Sequence, residues 1–136
     1  MAAIGRVDGL VIDGHDTMAL ARFWADMFDT EIAAVTDVGT PDEAHYVDIA
    51  GNDRTPLLRF QRVPETKAVK NRLHLDIEVE ELEPAIARVR ELGGSLVRPL
   101  FTEYGYDVAV MGDPEGNEFC LIRPVDRPAG LHANVP

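Results

Sequence analysis

Displaced along itself by 65 residues, the chain sets Gly9 on His74, Leu10 on Leu75, Ile12 on Ile77, and residues 29–32 on residues 94–97. Few identities survive this superposition, but the order of predicted elements does. In the first half a strand-like run at 8–12 precedes residues 16–28, where Leu20, Phe23, Trp24, Met27 and Phe28 recur at helical spacing behind a capping Asp16 or Thr17. Three β-type runs follow, at 31–35, 44–50 and 57–63, separated by Gly, Pro, Asn and Asp turn residues at 36–43 and 51–56. The second half repeats the plan. A strand at 71–79 leads to a helix at 81–94, where Leu82, Ile86 and Val89 form the apolar stripe, Pro84 stands near the start and Gly93-Gly94 supply the stop. Strands at 95–100, 106–111 and 118–123 complete it. A duplicated β-α-β-β-β unit predicts an α+β fold in which each sheet carries its helix on one side and shares a cleft with its twin.

At 136 residues, 46% of them hydrophobic, the chain suits a single domain spanning 1–136, with module one at about 7–63, module two at about 72–123 and a loose, proline-rich tail at 124–136. The formal charge of −11 repels phosphate backbones and anionic lipid surfaces, so the expected partner is a small molecule, with no nucleic acid and no membrane. Cys120 is the single cysteine, which rules out an intrachain disulfide and suits a reducing compartment. The opening MAAIGRVDGL lacks a basic region followed by an apolar core, and no apolar run approaches the roughly 20 residues of a membrane span, so a cytoplasmic location is expected.

The segment NRLHLDIEV, residues 71–79, locates the chemistry. Its alternation puts Leu73, Leu75, Ile77 and Val79 on the face toward the helix and leaves His74, Asp76 and Glu78 on the other. The same reasoning sends Leu58, Phe60, Phe119 and Leu121 to the core, and leaves Arg59, Gln61, Glu118, Cys120 and Ile122 facing the cleft. Buried histidines and carboxylates without partners are costly, so such a cluster implies mutual pairing, water or a ligand.

The duplicated plan, ARFWADMFDTEI on the first helix, KNRLHLDIEV opening the second module and DPEGNEFCLI as the final hairpin together resemble the vicinal oxygen chelate superfamily, the family of glyoxalase I, bleomycin-resistance proteins and extradiol dioxygenases. The wording is closest to its small glyoxalase-like domains. The resemblance spans about residues 7–123 and implies a glyoxalase-like fold, two tandem βαβββ modules around a half-barrel cleft, and commonly a homodimer. Metal-using members take ligands from the first and last strands of each module. Carried over, those positions are Gly9, His74, Gln61 (or Arg59) and Cys120. Glycine has no ligating side chain, and Cys120 stands where the metal enzymes place a glutamate. Glu118 is two residues away, about 7 Å along a strand. The resemblance therefore weighs against the family's divalent metal site and leaves any cofactor unknown.

His74 reads either as a hydrogen-bonded strand histidine or as the acid or base of the cleft, with Glu118 as its companion or as a solvated rim residue. Arg59 and Gln61 either hold a ligand oxygen or satisfy each other. Tyr104 and Tyr106 either cap a ligand or pack on their own turn, and Cys120 reads as a small buried residue rather than a nucleophile. The expected function is a glyoxalase-like protein that binds a small organic molecule and acts as a lyase or isomerase through His74, a role that does not require a metal. The alternative is a protein that sequesters a drug or metabolite, as the bleomycin-resistance branch does.

Overall fold

The computed structural model describes residues 2–36 and 44–126, so the expected turn at 37–43 and most of the expected tail lie outside the described residues. The chain divides into two compact units, residues 1–67 and 68–136. Each holds one helix and one four-stranded sheet.

In the first unit β1 (Leu10–Gly14) leads to α1 (Thr17–Phe28), followed by β2 (Ile32–Thr36), β3 (Tyr46–Ile49) and β4 (Leu58–Arg62). The helix begins where it does because the Asp16 carboxylate accepts from the Ala19 backbone N–H at 3.0 Å, satisfying one of the first-turn donors that the helix cannot. It ends at Asp29, which adopts a left-handed φ of 51° while Thr30 N–H donates to the Ala25 carbonyl. Leu20, Phe23, Trp24 and Phe28 are buried as their spacing predicts, whereas Met27 is only half-buried and Met18 is buried instead. The buried stripe thus starts one turn earlier than the periodicity suggests. The sheet order is β1-β4-β3-β2, with β1 parallel to β4 and the other pairs antiparallel. Val47, Ile49, Leu58 and Phe60 face α1, which packs on β3 and β4.

The second unit repeats the topology. It consists of β5 (Asp76–Glu78), α2 (Leu82–Glu91), β6 (Ser95–Glu103), β7 (Tyr106–Gly112) and β8 (Glu118–Pro124), ordered β5-β8-β7-β6 with β5 parallel to β8. Leu82, Ile86 and Val89 are the buried residues of α2, as the stripe requires. The helix is closed by a paired glycine stop: Gly93 N–H donates to the Arg90 carbonyl, Gly94 N–H donates to that of Val89, and Gly93 sits at φ +109°. Its apolar face covers Ala109, Met111, Phe119 and Leu121 on β7 and β8.

Two sequence expectations shift here. The strand expected over 71–79 is regular only at Asp76–Glu78, and Leu73, placed on the core face by alternation, is 72% exposed. Alternation can continue in a segment that has not yet joined the sheet, and Leu73 lies before the point where β5 meets β8. The FTEYGYD turn is a two-residue hairpin loop, because Glu103 pairs with Tyr106 and both Tyr104 and Gly105 have positive φ. That geometry turns Tyr104 outward, 93% exposed, and leaves Tyr106 partly exposed on β7.

Candidate functional site

In the second unit the pairing of β5 with β8 sets Asp76 opposite Cys120. Phe119 and Leu121 are buried on the α2 side, so strand alternation turns Cys120 to the opposite face, with Asp76 beside it and His74 two residues earlier along the same run. The Cys120 N–H donates to the Leu75 carbonyl at 2.9 Å, which ties the two backbones together between the three side chains. His74 Nε2 lies 3.4 Å from Asp76 Oδ1. One ligand-type atom from each of His74, Asp76 and Cys120 lies within 4.8 Å of the others. His74 and Asp76 are about half exposed, so the cluster is open to a solute.

Burial pushes the Cys120 thiol above its ordinary value, and Asp76 pushes it further, by its charge and as a hydrogen-bond acceptor. Lys70 pulls weakly the other way and Glu118 adds to the rise. Cys120 is therefore a thiol at neutral pH and a poor nucleophile. Because it is the single cysteine, alkylation by iodoacetamide reports on it alone. The rate at pH 7 should be lower than that of a free cysteine and should climb only as pH rises past the ordinary thiol range. Asp76→Asn removes one of the causes and should speed the reaction at neutral pH. A wild-type rate matching that of a free thiol would contradict this account.

Glu118 lies outside the three-residue cluster. Its carboxylate accepts from Lys70 Nζ at 3.2 Å and its backbone N–H donates to Asn71 Oδ1. The strand β8 that carries both Glu118 and Cys120 is aimed by the turn before it, where the buried Asp113 carboxylate accepts from the backbone N–H groups of Glu115 and Asn117 and from Asn117 Nδ2, at 2.9–3.0 Å. This is the structural content of the DPEGN motif.

In the first unit Arg59 and Gln61 lie on the β4 face opposite Leu58 and Phe60. Arg59 is gripped by the neighbouring strand: Nε donates to Asp48 Oδ1 at 2.7 Å and an Nη to Oδ2 at 2.8 Å, a two-pronged pair between residues matched in register. Asp48 raises the Arg59 value still further, so the guanidinium stays charged. Gln61 is half-buried and sits in register between Asp13 and Tyr46. Asp48 was not singled out by the sequence reading, although alternation through HYVDI puts it on the face opposite Val47 and Ile49. The same unit has an open depression of about 590 Å³ lined by His15, His45, Arg62, Val63 and Pro64, where His15 Nε2 lies 3.0 Å from the Pro64 carbonyl oxygen. Nothing in the spacing of those residues announces it, since they come from three separate segments.

The glyoxalase-like domain family matches residues 9–122, spanning both units. The chain belongs to that family. Its fold, two βαβββ units, is that of the vicinal oxygen chelate superfamily. Three solved relatives illustrate the likeness. The fosfomycin resistance protein FosX from Mesorhizobium loti is 14% identical, with a TM-score of 0.66 over 91% of this chain and 96% of its own. A variant FosX from Listeria monocytogenes, solved with Mn(II) and 1S,2S-dihydroxypropylphosphonic acid, is 14% identical, with a TM-score of 0.66 over 88% of this chain and 90% of its own. A glyoxalase/bleomycin resistance protein/dioxygenase from Nocardioides is 11% identical, with a TM-score of 0.67 over 98% of this chain and 93% of its own. No curated protein matches the chain. At these identities the solved relatives speak for the fold alone.

The metal arrangement that the superfamily implies does not fit these residues. Its first-module ligand position is Gly9, where a Cβ would come within 2.8 Å of the Leu57 carbonyl oxygen and 2.9 Å of a Leu57 side-chain carbon. A side chain is excluded there, not merely missing. In the second module a thiol stands where a carboxylate belongs. Among the described residues no helix is long and apolar enough to cross a membrane.

Proposed function

We propose that this glyoxalase-like protein binds a small organic molecule against the His74 face of its second unit and moves a proton on it, as a lyase or isomerase. The observation that carries the reading is the His74–Asp76 pair, an imidazole oriented by a carboxylate at 3.4 Å with both groups open to solute. With a proton on Nε2 directed at Asp76, the Nδ1 lone pair is left to accept a proton from carbon next to a carbonyl, and the imidazolium so formed is stabilised by the same carboxylate. Returning that proton to the former carbonyl carbon, as the hydroxyl proton of an α-hydroxy ketone passes to the former carbonyl oxygen, isomerises the substrate; departure of a β leaving group with its bonding pair, as the enolate electrons form the new C=C bond, instead makes the reaction a lyase step. The Cys120 thiol beside them can donate a hydrogen bond to a substrate oxygen without attacking it. Lys70 already compensates Glu118, so Asp76 rather than Glu118 is the companion of His74 in this mechanism. Arg59 is committed to Asp48 and shapes the face of its own sheet, leaving Gln61 as the polar group of β4 suited to hold a ligand oxygen. Tyr104 and Tyr106 are placed on one hairpin to meet an organic ligand, and the protein works as a cytoplasmic homodimer.

The test is deuterium wash-in from D2O at the carbon next to the carbonyl, followed by NMR over a panel of small α-hydroxy ketones and α-hydroxy thioesters. Wild-type protein should exchange at least one of them, and His74→Ala should fall to the rate seen without protein. Exchange that survives His74→Ala unchanged would overturn the mechanism.

A second reading is favoured by one observation, the net charge of −11. Such a protein attracts cations, and a cationic drug or metabolite could be sequestered without chemistry. Binding without exchange, weakened only modestly by His74→Ala, would select that reading.

A further inference from the structure

We infer that Arg98, on the edge strand β6 of the second unit, is the anion-binding end of the His74 face, so that the molecule taken there is an organic carboxylate lying with its carbonyl toward His74 and its charge toward β6. The inference rests on the proton-transfer reading for the carbonyl and goes beyond it in naming the charge that the substrate carries. Strand register puts Arg98 in one row across the sheet. Arg98 of β6 is matched to Val110 of β7, Val110 to Cys120 of β8, and Cys120 to Asp76 of β5. Residues directly opposite one another share a face of the sheet. Ala109 and Met111, which flank Val110, are buried under α2, so this row lies on the face away from the helix. Phe101, Val108, Ile122 and Glu78 form a second row beside it.

The Arg98 guanidinium is positioned but uncompensated. Its central carbon lies 3.7 Å from the centroid of the Phe101 ring, a stacking that engages the flat of the group and not the N–H donors along its edge. Those donors form a fork that pairs with a carboxylate two at a time. The β6–β7 pairing shifts register on both sides of Arg98, between Leu96 and Arg98 and again between Arg98 and Phe101, an irregularity that re-aims the side chain it carries. The chain has 24 acidic residues against 13 Lys and Arg, yet Arg98 makes no ion pair and no hydrogen bond among the described residues. Arg59, by contrast, is held by both oxygens of Asp48.

Charge decides which way round the ligand lies. At the β5 end Asp76 and Glu78 repel a carboxylate, and at the β6 end Arg98 attracts one. Glu103, the carboxylate of β6 itself, stands at the hairpin turn in register with Tyr106. Between the two ends the face is lined by Val108, Val110, Cys120 and Ile122, all buried or half-buried, which suits a hydrocarbon segment and no second charge. Three strand spacings separate the backbones of Asp76 and Arg98, about 14 Å, so a ligand that touches both groups has several methylenes between its carbonyl and its carboxylate.

NMR titration of the full-length protein with straight-chain methyl-ketone acids, from levulinate upward in length, and with their uncharged methyl esters reads this directly. Wild-type protein should bind at least one acid about tenfold more tightly than its ester, the scale of a charge-assisted hydrogen bond. Arg98→Gln should erase that preference and leave the affinity for the ester unchanged. Arg98→Lys keeps the charge without the fork and should restore only part of it. His74→Ala acts at the other end and should keep the preference. Arg98 is exposed, so its substitution leaves the core untouched, and far-ultraviolet circular dichroism checks that each variant is folded. Equal affinity of wild-type protein for acid and ester would overturn the inference, as would an undiminished preference in Arg98→Gln or failure of every acid to bind. These readouts measure binding, not exchange. An acid preference that Arg98→Gln erases, with no deuterium exchange in any compound, would leave the anion-binding end standing and remove the proton-transfer reading.

Discussion

Phe60→Ala should cost the first unit about 3–5 kcal/mol, the range for truncating a fully buried aromatic side chain. Phe60 is 0% exposed and lies on β4, an inner strand of its sheet, matched to Ile12 of β1 and Val47 of β3. It lies on the β4 face that carries Leu58, beneath α1, and Leu58, Ile49 of β3 and Leu20 of α1 are likewise fully buried. Replacing it with a methyl group loses the transfer energy of the ring and leaves a void that β4, held from both sides, cannot collapse to fill. Domains are stable by only about 5–15 kcal/mol in total, so the variant should unfold at a much lower urea concentration. Phe60→Leu should recover most of the loss by restoring volume. A midpoint shift worth less than about 1 kcal/mol for Phe60→Ala would mean that the packing is not as described.

Asp113→Ala should be nearly as damaging, at about 2–4 kcal/mol, although no apolar contact is removed. The Asp113 side chain serves three donors from a position only 3% exposed. Alanine would leave the N–H groups of Glu115 and Asn117 and the Asn117 amide to find water in a half-buried turn. Asp113→Asn keeps an acceptor oxygen and should cost clearly less. The consequence reaches beyond stability. The turn joins β7 to β8 and fixes the start of the strand that carries Cys120, which the β5–β8 pairing then sets opposite Asp76. Alkylation of Cys120 should therefore become faster in Asp113→Ala even under conditions where the protein remains folded. Equal unfolding midpoints for Asp113→Ala and wild type would refute this role.

Much of the architecture is legible from local signals. Leu82, Ile86 and Val89 give α2 its buried stripe, Gly93-Gly94 stop it, and Asp16 caps α1; each is a property of a few neighbouring residues. The repeat supplies the second unit once the first is read. Parallel pairing of β1 with β4, and of β5 with β8, is a different matter, because the partners are far apart in sequence and nothing within either strand names the other. Alternation identified His74, Asp76 and Cys120 as sharing the face away from the helix, but their convergence on one point depends on the β5–β8 register. Asp48 shows the same limit. Its strand pattern puts it opposite the core, while its grip on Arg59 follows only from the β3–β4 register. Leu73 marks where pattern overreached, since a run can alternate for several residues before it acquires a partner.

The closure around Gly9 also bears on how such a protein can change. The Leu57 carbonyl that would meet a Cβ at position 9 already accepts the Leu10 N–H at 3.1 Å, so it cannot withdraw without undoing the start of the β1–β4 pairing. Any mutational path that would give the first unit a ligand there must reshape main chain before it can test a side chain. The duplicated halves are therefore unequal at their matched positions: main chain forbids any side chain at 9, whereas the histidine at 74 stands about half exposed and can be exchanged without moving the backbone.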